Sequence, residues 1–408
     1  MAAAILPSGP ETQPRRWSPD HLRLHRSLLR RPELLPRGAP LLLAVSGGQD
    51  SMAMTGLLRD LRPLHHWPLH LWHGDHGWRD DSARQASELQ SWARSQQLPI
   101  RVERQEPLED CGNREAAARR WRYLCLQREA LRLGCHHVLT AHTASDRAET
   151  VLLHLARGSH RRGLAALRRR QALAALLEDV PASGPGGAAG WSVAAISSEE
   201  MQRQGFRPAV MAPAPSGPLP GAANGPVQLS STQLATPALW LVRPLQMFTR
   251  PETERICQRE GWPVWQDATN EQLELSRNRI RAQVLPVLEQ LHPGAARRIS
   301  EQAERLAAEQ EQQQELLDLA LIPLQCGPLE LDRRALLRLS AASQGLLLQH
   351  WLRRCRGEEL DSRSLADLLP RLAIERGPGQ MDLASGWQLS WRGTTLALRP
   401  PRLPAGHG

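Results

Sequence analysis

The apolar run Leu41-Leu42-Leu43-Ala44-Val45 leads directly into Ser46-Gly47-Gly48-Gln49-Asp50-Ser51, and this junction constrains the fold more than any other stretch. A short apolar run bounded by glycines reads as a buried strand of parallel type. Met52, Ala53, Met54, Leu57 and Leu58 then fall on one face of a helix. The glycines therefore occupy a tight strand-to-helix turn. There the backbone approaches a ligand closely, and the helix N-terminus aims free N–H groups at an anion. Ser46 and Ser51 add hydroxyl donors. Asp50 places a negative charge beside an anion site, which is sensible if it holds a divalent cation. A capping box of Ser46 with Gln49 would also shape the turn, but it needs neither both glycines nor the acid. A Walker loop would end in Gly-Lys-Ser or Gly-Lys-Thr, and the chain contains no lysine.

Strand-like and helix-like segments alternate onward to about residue 160. Leu69-His70-Leu71-Trp72, Pro99 to Glu103 and Val138-Leu139-Thr140-Ala141 read as further strands. Ser82 to Ser95, Asn113 to Leu133 and a segment through Leu155 read as helices. The alternation predicts an α/β fold with a doubly wound parallel sheet, whose ligands bind at the carboxyl ends of its strands. From about residue 168 to 237, Gly, Pro, Ala and Ser dominate after Arg168-Arg169-Arg170, and the stretch reads as a disordered insertion. Trp240 to Leu245 rejoins the sheet. Helical patterns dominate from Arg250 to Leu321, Leu336 to Trp351 reads as one amphipathic helix, and Gln388–Trp391 with Thr395–Leu398 as a hairpin. The expected layout is a helical extension over 1–38, a nucleotide-binding α/β domain over 39–167 with a last strand at 238–248, the insertion between them, a mainly helical domain over 249–325, and a small α+β region over 326–408.

The 408 residues exceed one typical core, and the net charge of +9 suits a polyanionic partner. All the basic charge is arginine, which favours phosphate forks and base stacking. Cys111, Cys125, Cys135, Cys257, Cys326 and Cys355 form no CxxC pair, which argues against metal ligation and a disulfide framework and for a cytoplasmic location. No apolar stretch is long enough to span a bilayer, and no protein partner is evident.

Three more motifs sit where the sheet's carboxyl edge should be. They are His73-Gly74-Asp75-His76-Gly77-Trp78-Arg79, then Asn113 to Tyr123 with Arg119 and Arg122 on one helix face, then Thr140-Ala141-His142-Thr143-Ala144-Ser145-Asp146-Arg147-Ala148-Glu149-Thr150. Taken singly, each is explained by a polar turn, a solvated helix face or a capping box. In this order behind SGGQDS, they resemble the tRNA(Ile)-lysidine synthetase family of PP-loop ATPases. The likeness continues through Arg157-Gly158, Arg243-Pro244-Leu245, Arg250-Pro251-Glu252, Asp267-Ala268-Thr269-Asn270 and Arg277-Asn278-Arg279-Ile280-Arg281. It covers about residues 20 to 290, apart from the insertion. The family's second His is here Thr143, its first Asp is Ser145, and its Gln is Arg147.

The resemblance implies that ATP adenylates C2 of a cytidine in the CAU anticodon of an isoleucine tRNA, and that the amine of L-lysine then displaces AMP. It implies ATP bound by Ser46, Gly47, Gly48, Gln49, Asp50 and Ser51, with Mg²⁺ on Asp50. His142 and Asp146 would join Asp50 in the chemistry, and Asp146 and Glu149 would meet the substrate ammonium. Arg119, Arg122, Arg277, Arg279 and Arg281 would contact RNA. A PP-loop tRNA thiolase, which would need catalytic cysteines at the sheet edge, and a non-catalytic RNA-binding relative are the alternatives.

Overall fold

A computed structural model describes residues 17–78, 81–106, 114–159, 161–178, 238–265 and 276–401. Arg79, Asn113, Cys111 and Asp267–Asn270 therefore lie outside the described residues, as does most of the expected insertion.

The nucleotide-binding region opens with α1 (Pro19–Arg30), β1 (Leu41–Ala44), α2 (Gln49–His65), β2 (Leu69–Asp75) and α3 (Ser82–Ser95). It continues through β3 (Ile100–Arg104), α4 (Arg114–Leu133), β4 (His137–Leu139), α5 (Ala144–Ala156), α6 (Arg161–Leu164), β5 (Arg170–Ala172), α7 (Leu173–Glu178) and β6 (Trp240–Val242). These strands form one six-stranded sheet in the order β3-β2-β1-β4-β6-β5. All pairings are parallel except β5 on β6. The chain leaves β1 toward β2 on one side and returns to β4 on the other. The crevice at that reversal is where a doubly wound sheet takes its ligand.

β1 shows why both faces carry helices. Leu41 and Leu43 join the buried cluster of Leu24, Met52, Leu57, Leu89 and Ile256, whereas Leu42 joins Trp72, Tyr123, Leu126 and Leu241 on the opposite face. Side chains alternate along a strand, so an unbroken apolar run needs a core on each side. Gly56, inside α2, lies against Trp262, and a Cβ there would come within 2.3 Å of the indole ring. The helix thus keeps a residue of poor helix propensity because Trp262 fills the space a side chain would need.

The segment expected to be disordered from residue 168 is folded over 168–178. β5 adds an antiparallel edge strand, and Leu173, Leu176 and Leu177 bury themselves in the cluster around Tyr123. Their i, i+3, i+4 spacing outweighs the preceding arginine run. Arg147, which stands where the family has Gln, holds this region: its guanidinium donates to the carbonyl of Leu167 and, at 3.4 Å, to that of Ser300.

Helical structure follows as α8 (Arg250–Glu260), α9 (Ser276–Arg279) continuing into a π-helical turn (Ile280–Val284), α10 (Leu285–Leu291) and α11 (Ala295–Leu321). The chain divides into two compact units, 1–303 and 304–408. In the second, β7 (Gln325–Gly327), β8 (Glu330–Asp332), β9 (Gly379–Asp382), β10 (Gln388–Arg392) and β11 (Thr395–Arg399) make a five-stranded sheet in the order β7-β8-β11-β10-β9. The expected hairpin is β10 and β11. The single helix expected over Leu336–Trp351 is instead two, α12 (Arg333–Leu337) and α13 (Ala341–Arg356), followed by α14 (Ser362–Arg371). The break falls at Ser340, whose hydroxyl accepts the Ser343 N–H at 3.3 Å and caps α13. Buried Arg333 binds this unit together by donating to the carbonyls of Leu372, Gly393 and Ala373 at 2.8, 3.1 and 2.7 Å. Among the described residues, no helix is long and apolar enough to cross a membrane.

Candidate active site

The turn after β1 has the geometry its glycines predict. Gly47 adopts φ +87°, and Gly48 caps α2. The Gly47 N–H donates to Ser51 Oγ at 3.1 Å and the Gly48 N–H to Ser46 Oγ at 3.3 Å. Ser51 Oγ in turn donates to the Gly48 carbonyl at 2.8 Å. Trp265 covers the loop: its backbone N–H donates to the Gly47 carbonyl at 3.0 Å, and a Cβ on Gly47 would lie 3.4 Å from its ring. Any side chain at Gly47 would be strained by the backbone alone.

Gln49 points away from the loop, and its amide donates to the Arg250 carbonyl at 2.9 Å. Asp50 faces the crevice. Thr253, fully buried on α8, donates its hydroxyl to Asp50 Oδ1, and Arg250 Nε lies 4.0 Å from Oδ2. Burial, and next the negative charge of Asp146, push the Asp50 carboxyl up to about 6, against the pull of Arg250 and Thr253. The carboxylates leaving β1 and β4 therefore sense each other across the switch point.

Asp146 sits in the first turn of α5, oriented by a capping box: Oδ2 accepts the Thr143 N–H and hydroxyl, each at 2.8 Å. Burial raises its pKa, but His142, Arg277 and the Thr143 N–H outweigh that and hold it below the usual carboxylate value. His142 Nδ1 lies 3.0 Å from the Thr140 hydroxyl. Burial and the Arg243 guanidinium push His142 down to about 3, so it is a neutral imidazole at pH 7. Two acids and a base with separated pKa values are the arrangement expected of a proton-handling site.

The residues that depart from the family pattern have structural partners here. Thr143 is the cap just described. Ser145 Oγ accepts the Arg250 N–H at 3.1 Å, and Ala144 N–H donates to the Phe248 carbonyl at 2.7 Å. The start of α8 is thus clamped between Gln49 and Asp50 on one side and Ala144 and Ser145 on the other.

Arg277 and Arg281, expected on RNA, point inward. Arg277 donates to Glu149 Oε2 at 2.9 Å and to Asp146 Oδ1 at 3.1 Å, and Arg281 donates to Glu149 at 2.7 and 2.9 Å. Glu149, expected at the substrate ammonium, is fully buried in this network. The burial of Glu149, with half-buried Asp146 beside it on α5, demands compensating charge, and the two arginines sit four apart on one face of the helix and π-turn. Arg279, between them, is exposed, with a 3.5 Å contact to Gln283. Arg119 lies over the Tyr123 ring at 5.2 Å, and exposed Arg122 lies 3.1 Å from His76.

Sequence reasoning did not single out Thr253 or Trp265, and it used Arg243 only as part of a motif. Arg243 is fully buried, donates to the Arg168 carbonyl and, among the described residues, finds no hydrogen-bond partner for Nε and Nη2. Burial lowers its pKa to about 10, so it remains a cation beside His142. Its position right after β6, at the sheet's carboxyl edge, was the available signal. The cysteines Cys125, Cys135 and Cys257 are buried, and burial pushes their thiols up to about 11, 12 and 12. They are not thiolates at neutral pH, which removes them as thiolase nucleophiles. Among the described residues, no group of three or more His, Cys, Asp or Glu side chains is placed to hold a metal.

Buried His137 and half-buried His142 make stability depend on pH. His142 is depressed to about 3 and His137, chiefly by burial, to about 4. In the unfolded chain both titrate near about 6.5. As pH falls below that value the unfolded state binds the protons first, so stability is lost between about pH 6.5 and 4. Asp50, raised to about 6, works oppositely as a single group. The urea midpoint should therefore fall between pH 7 and 5, and His142→Gln should flatten that slope. A midpoint flat across this range would contradict the burial of neutral histidines.

The PP-loop domain family model matches residues 25–177 and 223–288. A tRNA(Ile)-lysidine synthase of Parasynechococcus marenigrum (strain WH8102) is 43% identical over 96% of this chain and 97% of its own. One of Prochlorococcus marinus is 33% identical over 94% and 96%. Among solved structures, the U34-tRNA thiolase NcsA from Methanococcus maripaludis aligns at TM-score 0.48 and 14% identity, covering 71% of this chain and 79% of that one.

Proposed function

This chain belongs to the tRNA(Ile)-lysidine synthase family of ATP-using PP-loop ligases, and we propose that it joins L-lysine to C2 of the wobble cytidine of an isoleucine tRNA carrying the CAU anticodon. In the first step the cytidine C2 oxygen attacks the α-phosphorus of ATP, and the bond to pyrophosphate breaks. In the second, the lysine amine attacks C2, and AMP leaves with the oxygen.

The observation that carries this reading is the meeting of Asp50, His142 and Asp146 at the switch point, beside a glycine turn. Ser46, Gly47, Gly48, Gln49 and Ser51 shape that turn, and its N–H groups suit pyrophosphate oxygens. Ser46 and Ser51 hydroxyls hold those N–H groups in the free protein and would yield them to the phosphates. Asp50 suits Mg²⁺, because burial and the repulsion from Asp146, which together raise its pKa, are both offset by a divalent cation. Mg²⁺ needs only one or two carboxylates when phosphates complete its shell. Held by Asp50, it would offset charge on the phosphates. Neutral His142 can accept a hydrogen bond from the attacking amine and so orient it; depressed to about 3, it is too weak a base to keep the proton. Arg243 would stabilise negative charge beside it. Asp146 faces the crevice as the carboxylate for the substrate ammonium.

We assign RNA phosphate contacts to Arg119, Arg122 and Arg279, and the tRNA-facing helices to 249–325. The unpaired thiols of the described cysteines support a cytoplasmic setting. The decisive experiment is incorporation of labelled L-lysine into a CAU-anticodon isoleucine tRNA transcript with ATP and Mg²⁺. Incorporation that requires ATP is the expected result. A chain that binds the transcript yet incorporates no lysine would sink the proposal.

A further inference from the structure

The end of β2 carries an aromatic group that the chemistry above does not use. Asp75 Oδ1 accepts the Gly77 N–H at 2.8 Å, and Gly77 turns the chain at φ +63°. On that turn His76 is fixed from both ring nitrogens. Nε2 lies 3.1 Å from Arg122 Nη2, and Nδ1 lies 2.7 Å from Gln105 Oε1. A guanidinium only donates, so Nε2 accepts and Nδ1–H donates to Gln105. The ring is a neutral imidazole in one tautomer and one orientation.

Trp121 meets His76 edge-on at 5.2 Å, and Trp78 lies across it at 5.1 Å with the planes 31° apart. Gly74 makes room for this stack, since a Cβ there would lie 2.5 Å from the Trp72 ring and 2.9 Å from that of Trp121. Trp78 is 44% exposed. Arg122 and the 65% exposed Arg104, which lies 3.8 Å from Asp75, rim it. Arg119, one turn before Arg122, is close enough for its charge to act on His142. The platform therefore stands beside the reaction site but not in it.

A large exposed indole rimmed by guanidinium groups does not match an apolar partner. It matches single-stranded RNA, whose unpaired bases stack on aromatic side chains while arginines take the phosphates. We propose that Trp78, held by His76, which Trp121 supports in turn, is a stacking platform for an unpaired anticodon-loop base other than the cytidine that reacts. The proposal rests on the tRNA ligase function above. A rigid support lowers the ordering cost of binding, which explains why His76 is tied down at both nitrogens.

The test uses the full chain and the CAU-anticodon transcript. Base stacking is worth about 1–3 kcal/mol per base, so W78L and W78Q should weaken tRNA affinity by about five- to a hundredfold. W78F should stay within about threefold of wild type, and ATP affinity should be unchanged in all three. Abasic substitutions along the loop should include one position that weakens wild type but adds nothing to W78Q. W78Q is polar and suits a surface turn, so it decides the matter if W78L misfolds. Wild-type tRNA affinity in W78Q overturns the platform, and so does a loss of ATP affinity alone, which would put adenine on the indole. Failure of wild type to incorporate lysine would instead overturn the ligase function, with the tRNA affinities still deciding the role of Trp78.

Discussion

Asp50→Asn should reduce lysine incorporation by at least about a hundredfold, the scale of losing one well-placed electrostatic group in an active site, while tRNA affinity stays within about twofold. The substitution keeps the shape of the side chain, and the amide oxygen can still accept the Thr253 hydroxyl. It removes only the charge. The effect on stability should run the other way. Burial and Asp146 raise the Asp50 pKa to about 6, so at pH 7 the folded state carries a carboxylate that it disfavours relative to the unfolded chain. Asparagine relieves that repulsion, and the urea midpoint should hold or rise. An inactive yet equally or more stable protein is the signature of a residue kept for chemistry at some expense of stability. Single-turnover incorporation and urea titration on one preparation measure both. A parallel fall in activity and midpoint would mark Asp50 as structural and remove it from the site.

The parts of this site that are local in sequence were legible, and the parts that depend on distant packing were not. The glycine turn, Asp50 and the Thr143–Asp146 capping box each lie within one strand-to-helix junction, where spacing dictates geometry. The sheet follows from the same alternation, because short connections leave few topologies. Thr253 meets Asp50 from 203 residues away, and nothing local in Thr-Glu-Arg marks it. Arg277 and Arg281 read as RNA contacts because the family likeness, the arginine excess and the helical region they lie in all point to tRNA. What turns them inward is buried Glu149 with half-buried Asp146 on α5, visible only once that helix is docked. The fold of 168–178 was missed for the opposite reason: its apolar spacing is local, but the neighbouring arginines and the Gly- and Pro-rich stretch that follows hid it.

Glu149 tests whether that inward network serves the fold or the substrate. Its side chain is 1% exposed and faces Arg277 Nε at 2.9 Å and Arg281 Nε at 2.7 Å. Glu149→Ala removes this carboxylate from both guanidinium groups and leaves Asp146 at 3.1 and 3.7 Å. Removing one partner of a buried pair costs about 3–5 kcal/mol. The partial exposure of the arginines, 36% and 23%, places this case at the low end, near about 3 kcal/mol. Glu149→Gln, which still accepts through one oxygen, should cost roughly half of that. Both variants should raise the lysine KM only modestly, because the arginines then lean further on Asp146 and compete with the substrate ammonium there. If Glu149 instead binds that ammonium directly, Glu149→Gln should leave the urea midpoint nearly intact and raise the lysine KM by about tenfold or more, the worth of a hydrogen bond to a charged group. The two roles therefore predict opposite rankings of the same two measurements. The geometry favours the first, since Arg277 and Arg281 occupy the positions around Glu149 that a substrate ammonium would need.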